Sequence, residues 1–247
     1  MREVLGVIRD PEKVAKICRF MRSKKIILAD GHHRLESAIA YKKERAADPK
    51  ASPEEKAAAS YHLMYLTNAH TPDLRILPTH RLWTNFLPEE MLLEKLSPYF
   101  HIRQLYDKTE MEELILQRPY AFGLVTAQNA YKIRLKEGLW EYAHPIWPEK
   151  VKKLDLSILH YFAFEKALGM PMEEQRTSTH LRYERNLNRC YEAAAKGPEV
   201  AFITKEISMQ EVLDVCHSGY TLPQKSTFFF PKTVSGLLFA SLEPETP

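Results

Sequence analysis

The sequence predicts a mixed α/β protein of the α+β type, and three observations predict it. Short apolar runs that suit buried strands alternate with stretches of helical periodicity. One such run, Ile26-Ile27-Leu28-Ala29, passes through Asp30-Gly31 directly into a helical pattern. The composition, 45% hydrophobic and 27% charged over 247 residues, is that of a globular chain long enough for one large domain or two ordinary ones.

Taken in order, Asp10 caps a first helix with Pro11 in its opening turn, and Val14, Ile17, Cys18 and Met21 recur at helical spacing to about Ser23. Residues 26–29 read as a buried strand that ends at Asp30-Gly31. Leu35, Ala38 and Ile39 begin the next helix. Residues 46–57 are small and polar, and Ser52-Pro53-Glu54-Glu55 restarts a helix after them. Tyr61 to Thr67 is apolar and aromatic, a second expected buried strand, and Ile76 to Trp83 follows the Thr71-Pro72-Asp73 turn. From Pro88 the pattern predicts a helix (88–97), a strand (99–105), a helix (109–117) and a strand pair (120–126 and 130–136) ended by Glu137-Gly138. A helix over Leu156 to Leu168 presents Leu156, Leu159, Phe162, Ala163 and Ala167 on one face. Then come a helix at 186–196, a strand at 200–204, a helix at 208–217 and an aromatic, proline-containing end. The organisation expected is 1–87 for the portion with the Asp30-Gly31 turn, 88–150 for an α+β insert or second lobe, and 151–247 for a C-terminal portion packing on the first.

The composition removes several classes of function. The formal charge is only +3, and basic residues are interleaved with acidic ones, so neither the basic face nor the helix-turn-helix of a DNA-binding protein stands out. Cys18, Cys190 and Cys216 lie far apart without CxxC spacing, which argues against a zinc site or disulfide framework; Cys18 and Cys216 fall in apolar helical patterns and read as inert core thiols. No apolar run approaches ~18 residues, and no charged-then-apolar leader opens the chain. The expectation is a cytoplasmic bacterial protein without membrane partners.

The sharpest local signal is Asp30-Gly31-His32-His33-Arg34. A strand ending in a tight turn exposes the first N–H groups of the following helix, which with the positive end of the helix dipole attract phosphate. Gly31 permits close backbone approach, Arg34 can grip phosphate oxygens, and His32 and His33 can donate hydrogen bonds or move protons. Asp30 can orient a nucleophile or contact a divalent cation. The competing reading is an Asp cap followed by surface histidines. Leu77-Pro78-Thr79-His80-Arg81 is a second candidate, with an edge strand and a solvated Arg as its plainer reading. Lys225-Ser226-Thr227, before Phe228-Phe229-Phe230-Pro231-Lys232, is a third; no glycine loop precedes it, so it is not a Walker motif, and the three phenylalanines read as core. Asp30, His32, His33, His70 and His80 form only a loose metal constellation. There is no HExxH, and adjacent helical histidines point about 100° apart. No GxSxG elbow supports a serine hydrolase.

Four strings in this order resemble the domain of unknown function family 1015: residues 27–34, 76–81, Leu154-Asp155-Leu156-Ser157-Ile158-Leu159-His160, and 222–232 with Ser235-Gly236-Leu237. The resemblance spans nearly the whole chain. Family members carry a sizeable region before the strand leading into the turn, and here about 25 residues precede that strand. By this resemblance the chain looks like the C-terminal portion of a longer protein, or half of a split one whose N-terminal region a separate chain supplies. The Asp30 to Arg34 string is also similar to the phosphate-binding motif of the ParB/sulfiredoxin-like superfamily, which includes CTP-binding ParB proteins, sulfiredoxin and ADP-dependent free-serine kinases. That similarity implies a ParB/sulfiredoxin-like core lacking part of its N-terminal region, with an additional α+β lobe.

It further implies that Gly31, His32, His33 and Arg34 bind nucleotide phosphates, with Asp30 near an acceptor or a Mg2+ that accompanies the nucleotide. The reactive cysteine of sulfiredoxin has no counterpart in this turn. The family resemblance raises His80, Arg81, Lys225, Ser226 and Thr227 as further candidates, with Asp30, His32, His33 and His80 as the catalytic ones. The expected function is phosphoryl transfer to, or hydrolysis from, a small hydroxyl-bearing metabolite, provided that Arg34, Arg81 and Lys225 converge. The alternative is a nucleotide- or effector-binding regulatory module without turnover.

Overall fold

The computed structural model describes residues 4–84, 87–107, 110–116, 118–223, 225–232 and 236–242. These fall into two compact units, Met1–Met64 with Leu238–Pro247, and Tyr65–Leu237.

The first unit contains α1 (Pro11–Met21), α2 (His32–Ala47) and α3 (Pro53–Ala58). Local capping chemistry sets their starts. Asp10 accepts hydrogen bonds from the Glu12 and Lys13 amides, and Ser52 and Glu55 form a reciprocal capping box, each satisfying backbone donors that the helix leaves over.

Two expectations fail here. Residues 26–29 and 61–67 form no regular secondary structure and belong to no sheet, and Ile26, Leu63, Met64 and Tyr65 are exposed. A strand exists only as one side of a ladder, and among the described residues nothing pairs with either segment. Likewise α1 buries none of its residues, and Cys18, expected in a core, is exposed. Periodicity states which side of a helix can be buried; it does not supply the surface that buries it.

The second unit is built on one antiparallel sheet. Its elements, in chain order, are β1 (Arg75–Ile76), β2 (His80–Thr84), α4 (Glu89–Leu96), β3 (Phe100–Leu105), α5 (Met111–Leu116), β4 (Ala121–Val125), β5 (Ala130–Leu135), α6 (Glu149–Lys152), α7 (Asp155–Ile158), α8 (Met172–Gln175), β6 (Leu181–Glu184), α9 (Leu187–Lys196), β7 (Glu199–Ile203), α10 (Met209–His217) and β8 (Phe229–Phe230). After Ile158 the chain continues as a wider helix over Leu159–Ala167, in which the Leu168 N–H reaches back five residues to the Ala163 carbonyl. Six strands lie in the order β3-β5-β4-β7-β2-β6, so the strands from 88–150 share this sheet with β2, β6 and β7. β1 and β8 form a separate pair.

Alternation along the strands feeds two cores, one per face. Trp83, Phe122, Leu124, Val200 and Phe202 join Leu92, Phe162 and Phe164 on one side; Leu82, Val125, Ala201 and Ile203 join Met111, Cys190 and Ala194 on the other. Leu156, Leu159, Phe162, Ala163 and Ala167 are all buried, as the spacing predicts. A third, smaller core holds Ile76, Val151, Leu154, Val212 and Val215. The expected helix at 109–117 falls partly outside the described residues, and α5 occupies its centre.

Gly123, in β4 opposite Ile203, has no room for a side chain. A Cβ there would lie 2.3 Å from Met111 Sδ and 3.0 Å from Ile203 Cβ. Gly123→Ala is therefore expected to destabilise the protein by about 1–3 kcal/mol, read as a lowered urea midpoint. An unchanged midpoint contradicts this packing.

Candidate functional site

The Asp30 turn lies in the first unit. Gly31 has φ +87°, the left-handed region open to glycine, and occupies the N-cap position of α2. Asp30 therefore does not cap the helix: its Oδ1 accepts the Gly31 N–H at 2.9 Å. The first helical bond runs from the Leu35 amide to the Gly31 carbonyl, and no side chain caps the amides of His32, His33 and Arg34 before it. Arg34 folds back over the turn, so that a Cβ on Gly31 would lie 2.9 Å from its Nη2 and 3.0 Å from its Nε. The glycine is thus required twice, for its backbone angle and for the space the guanidinium fills. His32, His33 and Arg34 are exposed, and His33 Nδ1 lies 3.2 Å from Glu36.

Among the described residues no group of three or more His, Cys, Asp or Glu side chains could hold a metal. Asp30 offers one carboxylate, already engaged with a backbone amide. That is too few donors for a resident magnesium, although it suits a contact to an ion carried in by nucleotide phosphates.

Arg81, Lys225 and the other basic candidates lie in the second unit. Here the plainer sequence reading is overturned. β2 is an interior strand, flanked by β7 and β6, and Thr79, His80 and Arg81 are all buried. A pentapeptide with Thr, His and Arg reads as surface because those residues normally seek water; tertiary partners replace that water here. Arg81 Nε donates to His160 Nε2 at 3.1 Å, and its Nη1 donates to the Thr79 carbonyl. Arginine only donates, so His160 carries its proton on Nδ1 and donates it to Gln175 Oε1 at 2.6 Å. Gln175 Nε2 in turn donates to the Met170 and His160 carbonyls. Burial, and then the Arg81 charge, push His160 down to about 3. The same causes push His80 down to about 4, and His80 Nδ1 accepts the Thr204 amide at 3.2 Å. Burial lowers even Arg81 to about 10, while Tyr183, whose ring lies 5.5 Å from the guanidinium carbon, opposes that shift.

The third candidate string runs beside the second. Arg75 pairs with Phe230 and Ile76 with Phe229, and the Leu77 amide donates to the Phe228 carbonyl at 2.9 Å. Lys225 is exposed at φ +55°, Thr227 is half-buried, and buried Ser226 donates to the Pro223 carbonyl at 2.5 Å. Gln224 and Ser235 lie outside the described residues. The phenylalanines are not simply core. Phe230 is exposed, and Phe228 lies 3.9 Å from the Arg185 guanidinium carbon and 4.9 Å from Lys232 Nζ. Sequence reasoning missed His160 as more than part of a string, and it missed Gln175, Tyr183 and Arg185 entirely. Only the pairing of distant strands assembles them.

Comparison with known proteins adds a family and a set of distant likenesses. The family described as "Protein of unknown function (DUF1015)" matches residues 1–157, more than half of the chain. No curated protein matches. Among solved structures, the chain is similar to a conserved hypothetical protein from Pyrococcus furiosus (16% identity, TM-score 0.40, covering 67% of this chain and 60% of that one). It is also similar to a free serine kinase mutant in complex with ADP (17%, 0.44, 81% and 66%) and to a free serine kinase in complex with AMP (20%, 0.41, 67% and 57%). The chain thus spans 57–66% of the length of these three proteins. Among the described residues no helix is long and apolar enough to cross a membrane.

Proposed function

The chain belongs to that family of unknown function, and from this premise we propose that it binds a nucleotide through its phosphates at the Asp30 to Arg34 turn, as the phosphate cradle of a ParB/sulfiredoxin-like core. The reaction we propose is phosphoryl transfer to, or hydrolysis from, a small hydroxyl-bearing metabolite. The supporting observation is the start of α2: a left-handed glycine, three amides without a capping side chain, and the Arg34 guanidinium set against Gly31. Such amides, the helix dipole and a guanidinium fork all favour the same ligand, an oxygen-rich anion. Phosphoryl transfer asks mainly for charge neutralisation and positioning, which this turn can offer to a terminal phosphate. Asp30, His32 and His33 would act beside it on the acceptor or on a nucleotide-borne Mg2+. Lys225, Ser226, Thr227 and Arg81 belong to the second unit, where Ser226 and Arg81 are already bound within the fold.

Arg34 is exposed, so Arg34→Ala should leave the fold intact while weakening binding of ATP, ADP or CTP with Mg2+ by at least about tenfold, the loss of one charge-assisted hydrogen bond or more. Calorimetric titration reads this directly, and an unchanged affinity in the folded variant refutes the cradle. One observation favours the second reading, a binding module without turnover. His80, a candidate for proton transfer, is buried, neutral and committed to the Thr204 amide. Nucleotide binding without phosphate release or metabolite phosphorylation would select that reading.

A further inference from the structure

Among the described residues of the second unit, one buried positive charge has no carboxylate paired with it. Arg81 is fully buried, and both of its bonded acceptors, His160 Nε2 and the Thr79 carbonyl, are neutral. Among the described residues no carboxylate pairs with it, and its Nη2 has no partner at all. Directly opposite, across the β2–β6 ladder, Tyr183 leaves the same face of the sheet. Its ring is 5.5 Å from the guanidinium carbon, and its buried hydroxyl likewise has no partner among the described residues. Buried tyrosine hydroxyls and guanidinium N–H groups ordinarily find acceptors. Here two of them, on facing residues, go without.

We propose that Arg81 and Tyr183 form the recognition end of a buried oxyanion site, which takes the carboxylate or phosphoryl group of a small metabolite. An oxyanion accepts from Nη2 and from the phenol together, and it supplies the missing negative charge. A neutral ligand or a water would satisfy the hydrogen bonds but leave the guanidinium uncompensated, and a cation is repelled. The rest of the cluster orients the donor. Gln175, anchored on two carbonyls, holds His160 in the tautomer whose Nε2 accepts from Arg81 Nε, and this fixes the guanidinium fork. His160 and Gln175 are thus positioning residues. The site stands independently of the nucleotide cradle at α2.

The test uses the full chain carrying Arg34→Ala, which silences the α2 turn. Its thermal unfolding is followed against inorganic phosphate and glycolate, with glycerol and sodium chloride as uncharged and ionic-strength controls. A saturable rise with one of the two anions is expected, and whichever anion produces it identifies the source of the oxyanion. Adding Tyr183→Phe, which keeps the ring and removes only the hydroxyl, should weaken half-saturation by about tenfold or more. Arg81→Lys, which keeps the charge and loses the fork, should weaken it as well. The proposal is overturned if neither anion gives a saturable rise, or if both variants saturate like their parent. Loss of nucleotide binding in Arg34→Ala alone leaves this outcome untouched, so the two readings fail separately.

Discussion

Lowering the pH from 7 to 5 is expected to remove roughly 4 kcal/mol of folding stability, about 2 kcal/mol for each of two buried histidines. In the unfolded chain both titrate near 6.5, whereas in the fold His80 is pushed down to about 4 and His160 to about 3. Below 6.5 the unfolded state therefore binds protons that the folded state refuses, and stability falls with pH. The window runs from 6.5 down to about 4 for His80 and on to about 3 for His160. The cause is structural as well as electrostatic: a protonated His160 would point a donor at Arg81, and a protonated His80 would lose the acceptor that holds the Thr204 amide. Urea midpoints at pH 7 and pH 5 measure the loss. In His160→Gln about half of the dependence should vanish. A midpoint independent of pH over this range would show that these imidazoles are not buried as described.

Phe202→Ala should cost about 3–5 kcal/mol, a core phenylalanine exchanged for a cavity. Phe202 is wholly buried in β7, paired with Leu124 on one side and Arg81 on the other, with its ring 5.0 Å from that of Phe164. The substitution thus strikes the sheet where the core and the Arg81 cluster meet. Urea unfolding measures the loss, and a change below about 1 kcal/mol would mean that the neighbouring side chains close the space. If the Arg81–Tyr183 site is as proposed, the same variant should also weaken the response to its anion.

Much of the second unit was legible in the sequence. Strands expected at 99–105, 120–126, 130–136 and 200–204 are found as β3, β4, β5 and β7, shifted by a residue or so, and the helices at 88–97, 156–168, 186–196 and 208–217 are found likewise. Those elements declare themselves because caps, turns and apolar periods are local properties, carried within a few residues. Gly31 was legible for the same reason: a glycine between a run and a helix start asks for the left-handed angle it adopts. The segments at 26–29 and 61–67 carry strand-like composition too, yet pairing is a property of two segments, and composition names only one of them.

By itself, then, the sequence determined where helices begin, which faces are apolar, and that a glycine turn opens α2. Only the tertiary structure decided that Arg81 is an interior residue, that His160 and Gln175 fix its orientation, and that Tyr183 faces it. Those residues are separated by as many as 102 positions in the chain, from Arg81 to Tyr183. The physical reason is that a side chain's charge state and hydrogen-bond partners depend on what surrounds it in space. Arginine in water is satisfied by the solvent, whereas Arg81 under the sheet depends on the partners that the fold brings to it.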